Sequence, residues 1–253
     1  MLGIKEAFKR IYTNSEDCLM KHSIFFFLTG IVSIFSVELN KLSEQKNVDP
    51  SNFGIIVAGL FLFIVLSFYI YGYNLNVMHN SFDLSKKDIL PNFNLSHFKT
   101  FFKSLPLILV WGIYFILITL AGITIGAATE QGQAGAIVAM FITGLIGCAL
   151  SICLQLVFVK YTKFFKLKGL FNIALPFKYA KLAFPNLCKL WGKFIPIIIL
   201  NVILNVLANG SSLLAYIFTA IGAYVSGVAG FIYSFCIVQI FEEDIAPLED
   251  IDY

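Results

Sequence analysis

Three stretches of this chain carry no Asp, Glu, Lys, Arg or His: residues 104–129, 131–159 and 194–241. Two shorter apolar stretches precede them, at 19–37 and 53–73, the first with Lys21 and His22 near its start. A helix needs about 20 apolar residues to cross the hydrocarbon layer of a bilayer. The run 194–241 is too long for one crossing, and Asn209-Gly210-Ser211-Ser212 is a turn signal that divides it. The pattern therefore predicts an all-α membrane protein with six transmembrane helices, at about 19–37, 53–73, 105–127, 134–159, 190–208 and 213–241. They form a single polytopic domain over 1–241, followed by an acidic tail at 242–253. The fifth helix is short: residues 194–208 span about 22 Å at 1.5 Å per residue, against a ~30 Å core. Either it starts earlier or its turn lies below the membrane surface.

Charge sets the orientation. With a cytoplasmic N-terminus, sixteen of the eighteen Lys and Arg residues fall on one side, and Lys41 and Lys46 fall on the other. The positive-inside rule demands this asymmetry, and an odd number of crossings would scramble it. Both termini are then cytoplasmic, in a multi-pass protein of the cell membrane. A cleavable leader over residues 1–40 is disfavoured, since no A-x-A-like site follows the apolar run.

The start, LGIKEAFKRIY, places Ile4, Ala7, Phe8 and Ile11 at helical spacing among Lys5, Lys9 and Arg10. It reads as a short helix lying in the interface plane. The connection 160–193 carries eight lysines and no acid, interleaved with aromatic residues. Beside two spans, anionic lipid is the expected partner and nucleic acid is not. Lys103, Lys163, Lys166 and Lys193 are the expected head-group contacts. The tail has six acids and no base. It reads as a solvated segment, or as one that pairs with the lysine loops or docks a membrane-protein partner.

Composition then narrows the chemistry. The chain is 58% hydrophobic and 13% charged, with a mean hydropathy of +0.84. The five cysteines are scattered and form no C-x-x-C pair, so reduced thiols are expected rather than a metal or redox site. His79 and His97 flank Asp83 and Asp88 without metal-ligand spacing, so no metal is expected. No nucleotide-loop, zinc-protease, nucleophile-elbow or dinucleotide motif is present, so no cofactor and no enzyme activity are expected. The span cores lack the charges that mark proton relays and voltage sensors.

Amides and hydroxyls remain. Asn201, Asn205 and Asn209 share one helix face, with Gln155 and Gln239 near the cytoplasmic ends of the fourth and sixth spans. These amides either line a polar path or join helices by hydrogen bonds. Small residues recur every fourth position: Gly135, Ala139, Thr143, Gly147 and Ser151 in the fourth span, and Gly222, Ser226, Gly230 and Ser234 in the sixth. Such stripes predict close helix packing.

The chain also echoes itself. An offset of ninety aligns Lys99 with Lys189, Phe101 with Trp191, Lys103 with Lys193 and Pro106 with Pro196. Upstream lie Leu90-Pro91 and Leu175-Pro176, and before those a span ends at Tyr71-Gly72-Tyr73 and at Val159-Lys160-Tyr161. The order predicts two parallel pseudo-repeats with short interfacial amphipathic helices on the cytoplasmic side. Pro106 and Pro196 are each expected in the first turn of a helix. Gly72, Tyr73, Asn76, Leu90, Pro91, Phe93 and Phe98 together resemble a prokaryotic membrane family catalogued as domain of unknown function 4013. The similarity covers mainly residues 1–120, and Lys86-Lys87-Asp88 stands where such proteins often carry a glycine. The resemblance implies a polytopic membrane protein and no transferable activity. Two functional expectations follow: a non-enzymatic scaffold or subunit of a membrane complex, and, as the alternative, a permease or channel-like protein for a small or lipidic solute.

Overall fold

The structure, a computed structural model, describes residues 4–12, 17–44, 53–86, 88–128, 132–208 and 213–249. Among them are eight helices: α1 (Ile4–Tyr12), α2 (Cys18–Glu44), α3 (Phe53–Asn80), α4 (Ser96–Ala128), α5 (Gly132–Phe164), α6 (Ala174–Leu207), α7 (Leu213–Asp244) and α8 (Ala246–Glu249). No strand occurs among the described residues. Four stretches are long and apolar enough to cross a membrane: Cys18–Phe35, Ile56–Asn80, Ala174–Leu207 and Leu214–Leu248. The chain is thus compatible with a multi-pass membrane protein. α4 and α5, where two further crossings are expected, are helices of 33 residues each.

Helix ends depart from the hydropathy pattern where polar residues find partners. α3 runs to Asn80, seven residues past the expected end at Tyr73. Leu75 and Val77 are buried there, and Asn76 and Asn80 bond to the segment that follows. α6 begins at Ala174, well before residue 190, which removes the shortfall of the fifth span. The interfacial segment and the span are one helix, capped where the Asn172 side chain accepts from the Ala174 N–H at 3.0 Å. α4 is capped in the same way by Asn94, which accepts from the Ser96 N–H at 2.9 Å.

These continuous helices change the place of the prolines. Pro106 lies inside α4, and Pro196 lies deep inside α6, rather than in a first turn. Pro176 takes the first-turn position in α6, where a missing N–H costs little. Its counterpart Pro91 lies in the loop between α3 and α4. The segments leading into α4 and α6 therefore share their capping chemistry but enter their helices differently.

The chain divides into two compact units, Met1–Phe101 with Asn186–Ile240, and Phe102–Pro185 with Phe241–Tyr253. In the first, α1 lies against α2 with Ala7 and Ile11 buried, as its amphipathic pattern requires, while Phe8 stays exposed. α2 and α3 pack side by side. The start of α2 is tied to the loop between α3 and α4 through Lys21, whose Nζ donates to the Leu90 carbonyl at 3.0 Å and lies 3.9 Å from Asp88.

In the second unit, Tyr161, Leu170, Tyr179, Ala183 and Phe241 are buried. Tyr179 receives a hydrogen bond from Lys160 Nζ at 2.8 Å and meets the Phe241 ring edge-on. The acidic tail begins as helix: α7 extends to Asp244, Ile245 is buried, and α8 adds a further turn. Glu242 Oε1 lies 2.7 Å from Lys163 Nζ. Tail residues 250–253 lie outside the described residues. Because this pair is partly exposed, Glu242→Gln is expected to lower thermal stability by less than about 1 kcal/mol, with the difference shrinking in high salt.

Candidate functional site

The first unit contains a cleft of about 680 Å³. It is lined by α2 (Phe25, Thr29, Val32, Ser33), α3 (Ser67, Ile70, Tyr71, Asn74), α6 (Asn205) and α7 (Thr219, Gly222, Ala223, Ser226, Gly227). Its volume falls in the range of small-molecule sites. No described lining residue is acidic, basic or a histidine.

Each helix contributes polar atoms for a local reason. Within apolar helices, a Ser or Thr hydroxyl has the carbonyl one turn back as its nearest acceptor. Thr29 donates to Phe25 O at 2.9 Å, Ser67 to Phe63 O at 2.7 Å and Thr219 to Ala215 O at 2.8 Å. Ser226 donates to Asn201 Oδ1 at 3.1 Å, joining α7 to α6. With their protons committed, these oxygens offer lone pairs. The Asn74 and Asn205 amides make no hydrogen bond among the described residues.

The expected polar face is therefore only partly assembled. Asn205 lines the cleft and Asn201 supports it through Ser226. Gln239 is buried elsewhere in the same unit and donates to the Ser81 carbonyl at 3.1 Å. Gln155 belongs to the other unit, and Asn209 lies outside the described residues. Thr29, Ser33, Ser67, Asn74 and Thr219 were not expected from sequence. Thr29 and Ser33 are four residues apart on α2, and Ser67, Tyr71 and Asn74 fall at i, i+4 and i+7 on α3, so each set shares one helix face, a weak periodic signal within otherwise apolar runs. Asn74, two residues from Asn76, carried the strongest local signal.

The small-residue stripe of α7 also has a different use. Gly222 and Ser226 line the cleft; a Cβ on Gly222 would meet Leu204 Cβ at 3.7 Å, an ordinary contact. Gly230 is exposed, and a Cβ there would meet nothing within 4 Å. The close approach in α7 is at Gly227, one position off the stripe, against the Phe25 ring. In α5, Gly147 is half-buried, and the side-chain surroundings of Gly135 and Ala139 lie outside the description. Of the lysines expected at head groups, Lys103, Lys166 and Lys193 are exposed, while Lys163 is held by Glu242.

A second cluster joins α3 to the start of α4. The Tyr73 ring stacks on Phe93 at 4.8 Å and meets His97 edge-on at 5.1 Å. Asn76 Nδ2 lies 2.8 Å from His97 Nδ1, 3.1 Å from Thr100 Oγ1 and 3.1 Å from Gly72 O. His97 Nε2 donates to Asn92 O at 2.9 Å, so the ring is the neutral Nε2–H form with Nδ1 accepting from Asn76. Burial holds the His97 pKa below its usual value of 6.5, with the Asn92 carbonyl pulling weakly the other way. Every hydrogen-bond partner in this cluster has a structural task, and no group of three or more His, Cys, Asp or Glu among the described residues could hold a metal. The cleft is accordingly the stronger ligand site.

Comparison with family models, curated proteins and solved structures finds no match.

Proposed function

We propose that this chain is a non-enzymatic integral membrane protein whose cleft in the first unit binds an uncharged solute or lipid. One observation carries the reading: a site-sized cleft among apolar helices, polar yet with no carboxylate, amine, guanidinium or imidazole among its described lining residues. Ion-coupled transport and most general acid–base chemistry use such residues, whereas recognition of a neutral molecule needs only amides and hydroxyls.

The accompanying topology is six crossings by α2 to α7, with both termini cytoplasmic and basic loops at anionic lipid. The parallel repeat belongs to the same proposal. It is supported by Asn94 and Asn172 capping equivalent helices, and by Tyr73 and Tyr161, both buried with hydroxyls that bond to no described residue. Membership of the domain-of-unknown-function 4013 family is proposed too, since Gly72, Tyr73, Asn76, Leu90 and Phe93 gather around His97 and Lys21. A second reading, a subunit of a membrane complex, is favoured by α8, which presents exposed Leu248 beyond the anchored Glu242.

The test is Gly222→Leu, which fills the cleft while Gly230→Leu serves as a surface control. Native mass spectrometry from mild detergent should show a neutral adduct on the wild type and the control, and its loss from Gly222→Leu. An adduct equally abundant in all three proteins refutes the cleft as its site.

A further inference from the structure

We infer that the cleft's ligand is a lipid alcohol, a membrane-resident molecule with a free hydroxyl, recognised by donating that proton to the cleft. The inference rests on the proposed function and names its ligand class. The lining supplies an excess of acceptors. Thr29, Ser67 and Thr219 each spend their only hydroxyl proton on a carbonyl of their own helix, at 2.7–2.9 Å. Ser226 spends its proton on Asn201. Four oxygens therefore face the cleft with lone pairs and no proton to offer. The Ser33 and Tyr71 hydroxyls and the Asn74 and Asn205 amides can serve either way, so donor capacity comes from these four side chains while acceptor capacity comes from eight.

An ester or ether oxygen is an acceptor and would meet acceptors without a proton at four of the eight positions. A hydroxyl meets a partner at all of them. An anionic head group would enter a cleft with no described cation, and a cationic one would find no described carboxylate. Both would carry a desolvation cost that uncharged groups do not offset.

The lipid source follows from the cleft's surroundings. Phe25, Val32, Ile70 and Ala223 supply apolar walls, and the cleft is open rather than sealed. Its flanks on α2 and α7 carry exposed Phe26, Ile217 and Ile221, which in a spanning helix face acyl chains. A ligand entering there comes from the bilayer and leaves its tail in it. At about 680 Å³ the cleft admits a glycerol-sized head and a few methylenes.

The experiment uses the full chain in nanodiscs with a diazirine-bearing diacylglycerol and its 3-O-methyl ether, which differ in one donor. Cross-linked peptides should come from the α2, α3 and α7 segments around Thr29, Ser67 and Thr219. The alcohol should label about three- to tenfold more than the ether. Thr29→Val with Thr219→Val removes two acceptors at nearly constant shape and should reduce that ratio towards one, with thermal stability monitored to confirm folding. Excess glycerol should leave labelling unchanged. Labelling of the cleft by alcohol and ether alike overturns the donor preference and leaves the proposed function standing. Competition by glycerol overturns the lipid source. Labelling that avoids these helices, or survives in Gly222→Leu, overturns the proposed function itself.

Discussion

Gly72→Ala is expected to destabilise the protein by about 2–4 kcal/mol, and Gly72→Val by more. A Cβ on Gly72 would sit 2.8 Å from the carbonyl carbon of His97 and closer still to its oxygen. Real Cβ atoms do not approach backbone this closely. The obstacle is main chain of α4's first turn, so no rotamer change relieves it. α3 and α4 must separate, which breaks the Asn76 contacts and unstacks Tyr73 from Phe93. The contrast is Gly230→Ala, also in a long helix but open to its surroundings. There the better helix propensity of alanine should leave stability unchanged or slightly raised. Thermal unfolding of both variants in the same detergent checks the pair. Equal midpoints would sink the close-approach account.

Asn76→Leu is expected to cost about 2–3 kcal/mol, because it keeps the branching of the side chain but leaves His97 Nδ1 buried without a donor. Thr100→Val should cost less, since the hydroxyl it removes also has the Ser96 carbonyl of its own helix as partner. The same cluster sets a pH dependence. His97 in the fold has a pKa below 6.5, while in the unfolded chain it titrates near 6.5. Between those two values the unfolded chain binds more protons. The contribution of neutral His97 is therefore complete above about pH 6.5 and lost as the pH falls through the folded-state value. Melting midpoints should drop on acidification below that point, and His97→Gln should flatten the drop. A wild type whose midpoint is level from pH 7.5 to 5 would contradict this.

Helix existence was legible because it depends on a one-dimensional property. A chain that places about 20 apolar residues in a row has to satisfy its backbone internally in lipid, and the helix does so from local bonds alone. The same holds for the amphipathic period of α1 and for the turn chemistry before α4 and α6. Helix ends were less legible. At Asn76 and Asn80 hydropathy falls, yet the helix continues, because partners from residues 89–100 satisfy the amides. At Pro196 an expected helix start proved to be helix interior, since residues 174–193 fold onto the same axis.

By itself the sequence determined the class of molecule, the apolar helices and the absence of charge from their interiors, all consequences of composition along the chain. The tertiary structure alone decided which glycines matter and where the polar residues meet. Gly72 and Gly230 are alike in sequence terms and differ in what lies a few ångströms away. Asn205 stands out in its own helix, whereas Thr29, Ser67 and Thr219 join it as one site only when α2, α3, α6 and α7 bring them together. Both outcomes depend on distances between residues far apart in the chain, which no local pattern encodes.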